Sequence, residues 1–212
     1  MIYKGLVLND KKIRIRSKKE LQIRKLEFLK ICNILNKLNI KYFLQTGILL
    51  GAIRDNDLIP WDWDVELSVF SQEADIKFNK LIKNLKNTGF KIESYSKKKS
   101  ILKIDFAGKL SKEITSYTIK GWNYNKNKKL FWRRSYKIPQ HFLLNMKKIN
   151  FFKKKHYAPF PVDEFLEYQY GNWRKPIRTS NKIIYMRKEY SGINKIKYIL
   201  KELINKILKF LN

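Results

Sequence analysis

The sequence predicts an α+β domain in which a small mixed β-sheet is flanked by helices, with a basic amphipathic helix added at the C-terminus. Three observations carry this. Segments of helical spacing and segments of strict alternation interleave along the chain instead of forming separate blocks. An apolar fraction of 44%, with 14% aromatic residues, is enough for a real core. No internal repeat and no low-complexity linker divides the 212 residues, so residues 1–190 read as one domain and 191–212 as the appended helix.

The elements follow in order. Ser17-Lys18-Lys19-Glu20 has the form of a capping box, with Ser17 as N-cap and Glu20 at the third helical position. Leu21, Phe28, Ile31, Cys32, Ile34, Leu35 and Leu38 then recur at helical spacing, predicting a helix over about 18–39. Tyr42-Phe43-Leu44 is a short strand, and residues 47–54 form a tight turn that opens a short helix. Residues 62–70 alternate and read as a strand. Ala74, Phe78, Leu81, Ile82 and Leu85 make a second helical face, closed by Gly89. Phe90–Tyr95, Ile101–Phe106 and Ile114–Trp122 are further strands, while 123–160 is aromatic and irregular. Pro161 and Gly171 bracket a helix over 162–170. Residues 192–211 carry Ile193, Ile196, Leu200, Leu203, Ile207 and Leu211 on one stripe, with five lysines elsewhere around it. That stripe fits either a membrane interface or a helix packed on protein.

Composition excludes several classes. No apolar run approaches the ~18–20 residues of a membrane span. The single cysteine, Cys32, cannot make an internal disulfide and falls inside an amphipathic pattern, as a small buried group would. Residues 1–10 lack a signal-peptide apolar core, so a reducing, cytoplasmic setting is expected. The net charge of +29 rests on 38 lysines but only 9 arginines. One reading is a compositional bias that writes Lys wherever polar surface is needed. The other is a field that attracts anionic lipid, nucleic acid or phosphate-bearing substrates. The clusters at 97–99, 126–129 and 153–155 are dispersed, which argues against a single patch.

The most informative segment is Trp61-Asp62-Trp63-Asp64-Val65-Glu66-Leu67. The chain has only 18 acidic residues, yet three stand here at alternate positions. In a strand Asp62, Asp64 and Glu66 share one face, leaving Trp63, Val65 and Leu67 for the core face. Adjacent carboxylates repel unless a cation offsets them, and hard oxygen ligands suit Mg²⁺ or Mn²⁺ completed by phosphate. Asp105 lies between apolar neighbours on a later strand and joins the cluster if that strand lies beside the first. Glycine, short helix, acid-x-acid on a strand and a lone acid on a neighbouring strand together resemble the nucleotidyltransferase fold. Its acids hold one or two metals for in-line phosphoryl displacement.

Two longer stretches sharpen the resemblance. Gly47-Ile48-Leu49-Leu50-Gly51-Ala52-Ile53-Arg54 with Ile59-Pro60-Trp61-Asp62-Trp63-Asp64-Val65-Glu66, and later Phe165-Leu166-Glu167-Tyr168-Gln169-Tyr170-Gly171-Asn172-Trp173-Arg174-Lys175-Pro176, resemble the LicD family of phosphotransferases. The Trp-Asp-x-Asp-Val-acid version is similar to the fukutin-related ribitol-phosphate transferases. The resemblance covers about 20–176. It implies transfer of a phospho-alcohol, such as phosphocholine or ribitol phosphate, from a CDP-activated donor to a glycan or lipid-linked glycan in surface polysaccharide synthesis. It implies that Asp62, Asp64, Glu66 and Asp105 are metal ligands, with Asp64, Glu66 and Asp105 catalytic. Gly47, Thr46 and Arg54 would meet substrate, Arg54 through its bidentate fork. Ile48 stands where the family usually has Ser or Thr, and Glu66 where it usually has Asp.

The remaining candidates are weaker. His141 and His156 have no ligand spacing and read as solvated or core residues. No Walker loop, Gly-x-Gly-x-x-Gly or Ser-His-Asp pattern occurs. Trp122, Tyr124, Phe131, Trp132, Arg133 and Arg134 fit either a partly buried sheet face or a surface that stacks on a base or sugar. Tyr168, Tyr170 and Trp173 read as packing for the closing helix. Two other functions stay open: nucleotidyl transfer to a small molecule or RNA, and an inactive module that binds an anionic ligand. Attachment to the inner face of an anionic plasma membrane is compatible with the tail, and nothing in the transferase reading calls for nucleic acid as a partner.

Overall fold

The computed structural model describes residues 13–98, 101–108 and 116–179. The chain divides into two units, Arg14–Phe165 and a second made of Met1–Ile13 with Leu166–Asn212. The first unit holds the sheet and the acidic segment.

Helix α1 spans Lys18–Lys37. Its start is the capping box read from the sequence. Glu20 N–H donates to Ser17 Oγ (3.3 Å), and Ser17 N–H donates to Glu20 Oε2 (2.6 Å). Strand β1 is Tyr42–Leu44, α2 Thr46–Arg54 and β2 Asp64–Phe70. The second helical face is broken into α3 (Ser71–Ile76) and α4 (Phe78–Asn87), and Gly89 follows at φ 96°, a conformation that a side chain would strain. Strands β3 (Lys91–Lys98), β4 (Ile101–Ala107) and β5 (Ser116–Asn125) come next. The segment left irregular by its pattern folds as β6 (Leu130–Arg133), β7 (Tyr136–Pro139), α5 (Gln140–Leu144), β8 (Lys147–Phe151) and β9 (Lys154–Ala158). Helix α6, Val162–Tyr170, matches its expected bounds and runs from the first unit into the second, where Gly171 has φ 74°. The expected helix over 192–211 and the expected boundary near 190 lie outside the described residues.

The sheet is mixed, as expected, and among the described residues it has nine strands, more than a small sheet. Its path is β3-β4-β5-β2-β1-β9-β8, with β6 and β7 extending from β5. Strand β2 pairs parallel with β5 and antiparallel with β1. One face forms the core. Val65, Leu67, Val69, Leu102, Ile104, Phe106, Tyr117 and Ile119 are all buried there. Phe90 packs edge-on to Phe106, with centroids 5.3 Å apart. Tyr117 Oη donates to Glu27 Oε2 of α1 (2.6 Å), so α1 covers this same face. Cys32 is buried as expected, and burial pushes its thiol up to about 12. His156 is a core histidine and His141 is exposed.

Candidate active site

Alternation along β2, β5, β4 and β3 sets polar rows on the face opposite the core. In one row Glu66 lies opposite Thr118, Thr118 opposite Asp105, and Asp105 opposite Ser94. In the next, Ser68, Lys120, Lys103 and Ser96 stand side by side. Asp105 does share the face of Glu66, but its strand is not the neighbour of β2. Strand β5 intervenes, so the two carboxylate positions are two strand spacings apart, ~9–10 Å at the Cα atoms. Thr118 bridges the gap, its hydroxyl donating to Asp105 Oδ1 (2.9 Å).

The acids at the start of β2 are arranged differently from a simple alternating strand. Strand pairing begins only at Asp64. Val65 and Leu67 face the core as expected, but Trp63 precedes the strand and is 61% exposed. Asp62 bends back against α2, and a Cβ on Gly47 would lie 1.9 Å from Asp62 Oδ2. Gly47 is therefore needed for the close approach of this carboxylate to the helix N-terminus, where the backbone dipole favours negative charge. Thr46, at φ 57°, opens α2 with its hydroxyl 2.6 Å from the Gln45 carbonyl and 2.9 Å from Glu66 Oε2. Ile48 is buried, and the Thr46 hydroxyl lies two residues before it at this turn.

Arg24 of α1 fixes the acidic segment from below. It is 1% exposed, with Nη1 donating to the Asp62 carbonyl and Nη2 to the Asp64 carbonyl, both at 2.8 Å. The side chains above are electrostatically coupled. Burial first, then Glu66 and Asp62, push the Asp64 carboxyl up to about 8. Burial also raises Asp62, to about 6, with Arg24 opposing and Glu66 adding to the shift. Asp105 moves the other way. Desolvation works against its charge, but hydrogen bonds from Lys103 (2.6 Å), Ser94 (2.8 Å) and Thr118 outweigh it and hold the group below the usual carboxylate range. Glu66 is ion-paired with Lys120.

The structure thus brings Asp62, Asp64, Glu66, Thr46 and Gly47 together, with Asp105 two strands away on the same face. Among the described residues, no group of three or more His, Cys, Asp or Glu side chains converges as a ready ligand set. The donor chemistry nevertheless suits Mg²⁺ or Mn²⁺, which take one or two carboxylates and complete an octahedron with water and phosphate oxygens. Two half-buried acids that resist ionising beside each other are the natural pair. Arg54 is placed differently from the expectation of a fork turned to phosphate. Its Nε and Nη2 donate to the Asp55 carboxylate at 2.8 and 2.7 Å. Sequence reasoning missed Arg24, Thr118, Lys103 and Lys120. Only Lys103, two residues before Asp105, had a local signal; the others depend on long-range pairing.

A family model described as LicD/FKTN/FKRP, nucleotidyltransferase domain, matches residues 39–161. An uncharacterised protein of Rickettsia prowazekii is 30% identical over 172 residues, covering 78% of this chain and 60% of that protein. Human ribitol-5-phosphate transferase FKTN is 28% identical over 152 residues, 68% of this chain and 32% of the relative. Human ribitol 5-phosphate transferase FKRP is 39% identical over 44 residues, 21% and 9% respectively. The chain therefore spans 60% or less of the length of these curated relatives. Among solved structures, the chain matches the lincosamide adenylyltransferase LnuA bound to lincomycin, at 15% identity and TM-score 0.47, covering 76% of this chain and 93% of that one. Another is ANT(2")-Ia in complex with adenylyl-2"-tobramycin, at 10% identity and TM-score 0.49, covering 87% and 99%. With the family model matching more than half of its length, and the acid-x-acid segment inside that match, the chain belongs to the LicD/FKTN/FKRP nucleotidyltransferase-domain family.

Proposed function

We propose that this protein is a metal-dependent phosphotransferase. It moves a phospho-alcohol of the ribitol-phosphate or phosphocholine type from a CDP-activated donor to a glycan hydroxyl, as part of surface polysaccharide synthesis. The observation that carries the reading is the coupled acid set of Asp62, Asp64 and Glu66 beside the α2 N-terminus, inside the segment that matches the family. The names of FKTN and FKRP support the class of group transferred.

In this reading the acceptor oxygen attacks the phosphorus that bears the alcohol. The bond from that phosphorus to the bridging oxygen breaks, and CMP leaves with the bridging oxygen. Asp62, Asp64 and Glu66 would hold Mg²⁺ or Mn²⁺, with Asp105 contributing from across β5. A bound cation supplies charge neutralisation for the diphosphate and the leaving oxygen. The residues of the chain do the rest. Arg24 keeps the Asp62–Asp64 backbone in place, and Gly47 leaves room for Asp62 against α2. Lys120 and Thr46 orient Glu66. Asp105, held as a carboxylate, orients the acceptor hydroxyl and takes its proton late, which suits a loose phosphoryl transition state with little need for a strong base.

The test is incubation of the protein and Mg²⁺ with a panel of CDP-alcohols and glycan acceptors, following CMP release. CMP release that needs both acceptor and divalent cation, and stops on chelation, is the expected result. No turnover with any CDP-alcohol, but pyrophosphate release from a nucleoside triphosphate, would replace this reading with nucleotidyl transfer.

A further inference from the structure

The polar face of the sheet carries a third cation besides Lys120 and Lys103. Those two are matched with Glu66 and Asp105. Arg133, near the end of β6, is only 5% exposed, forms no ion pair among the described residues, and its buried Nε has no hydrogen-bond partner. A guanidinium out of water without a counter-charge is costly, and its five donors are built to be used.

Its direction follows from the strand register. Tyr124 of β5 lies opposite Phe131 of β6, and their rings stack with centroids 4.8 Å apart, so the two share a face. Two residues on, the same face carries Trp122 and Arg133. Two further steps along β5 are Lys120 and Thr118, in the rows that hold Glu66, Lys103 and Asp105. Trp122 is itself buried and fixed, its Nε1 donating to Ser68 Oγ (3.2 Å), and Ser68 Oγ donating to Gln45 Oε1 (2.7 Å) beside the start of α2. Arg133 thus belongs to the sheet face of the acids, not to a separate surface. Both Glu66 and Asp105 act on its charge, while Arg134 opposes it.

We propose that Arg133 is an anion anchor that binds a phosphate group of the diphosphate-bearing substrate, on the same sheet face as the acids and without needing a metal. A guanidinium fork matches two phosphate oxygens at once, and the ammonium groups of Lys120 and Lys103 add to the field. The identity of the substrate rests on the transferase reading above; the anion site rests on the geometry alone. It also gives part of the aromatic-and-arginine segment over 122–134 a role in binding phosphate instead of stacking on a base.

The experiment uses the full chain in EDTA at about 0.15 M salt, so that loose surface attraction is screened. Inorganic pyrophosphate is the probe, followed by calorimetry and thermal melting. The wild type should bind it and melt higher in its presence. Arg133→Met should weaken binding by about 10- to 100-fold, the loss that corresponds to one set of charge-assisted hydrogen bonds. Without pyrophosphate this variant should melt no lower than the wild type, because it removes an unpaired buried charge; an arginine with a purely structural role would predict a large drop. Arg133→Lys keeps the charge, loses the fork, and should bind several-fold more weakly. Exchanging exposed Lys128 and Lys129 for Gln should leave binding unchanged. The proposal is overturned if the wild type shows no response, or if Arg133→Met or Arg133→Lys retains wild-type affinity. Failure of the transferase reading looks different: pyrophosphate binding stays dependent on Arg133 while no CDP-alcohol is turned over.

Discussion

Asp64 is a carboxylate kept where ionisation is resisted, between Asp62 and Glu66 and partly out of water. Asp64→Asn keeps the shape and removes one of the repelling charges. The variant should fold, and without metal it should melt at or above the wild-type temperature. Its CMP release should fall by more than the ~10–100-fold typical of losing a group that merely orients a metal ligand. Normal turnover in the folded variant would remove Asp64 from the site. His156 gives a second test at this scale. The pocket holds its neutral form, with Tyr42 Oη donating to Nδ1 (3.0 Å) and Nε2–H donating to the Phe151 carbonyl (3.2 Å). Burial lowers its pKa below the ordinary 6.5. Below pH 6.5 the unfolded chain therefore takes up a proton that the folded chain still refuses, and stability falls with pH by up to ~1.4 kcal/mol per unit. Melting curves from pH 7.5 to 5 should show this acid-side slope reduced in His156→Gln. Equal slopes in the two proteins would mean that His156 does not titrate in this window.

At the scale of elements, the site depends on α1 holding the entry to β2. Arg24→Met leaves the carbonyls of Asp62 and Asp64 without their donors. It should cost about 3 kcal/mol, given that hydrogen bonds to charged groups contribute ~1.5–3 kcal/mol each. Turnover should drop in the variant even at temperatures where it is fully folded, because the acidic backbone relaxes. Loss of stability with unchanged CMP release would make Arg24 a packing residue only. Helix α1 itself was legible in the sequence, since its cap and its apolar stripe are local signals. So were β1, α2, α6 and the acidic run, each set by residues within one or two turns or strand repeats. Arg24 was not, because its partners are 38 and 40 positions away. The neighbour of β2 stayed open in the sequence for a related reason: a parallel β2–β5 pair needs a long crossover, and no local pattern marks which strand returns beside β2. Trp63 broke the alternation because strand pairing starts one residue after it. The short strands over 130–158 were hidden for two opposite reasons: β8 and β9 carry lysines on both faces, whereas β6 carries apolar residues on both, so none of them alternates.

At the scale of the whole molecule, the charge is distributed in a way that the site does not explain. Exposed lysines crowd three hairpin connections, at Lys97 and Lys98, at 126–129 and at 153–155. Among the described residues no helix is long and apolar enough to cross a membrane. The sequence of residues 192–212 adds an apolar stripe and further lysines. With a lipid-linked acceptor, the expected outcome is peripheral attachment to an anionic bilayer, at roughly 1 kcal/mol for each lysine held near the surface. Salt should weaken it, since the Debye length falls from ~10 Å at 0.1 M to ~3 Å at 1 M, while burial of the stripe resists salt. Flotation with anionic and neutral liposomes checks this, comparing the full chain with a chain truncated after residue 191. The full chain should float with anionic vesicles at low salt and keep a salt-resistant fraction. The truncated chain should lose that fraction while retaining pyrophosphate binding through Arg133. If the full chain ignores anionic vesicles, the lysine excess reflects composition and the acceptor is reached without the bilayer.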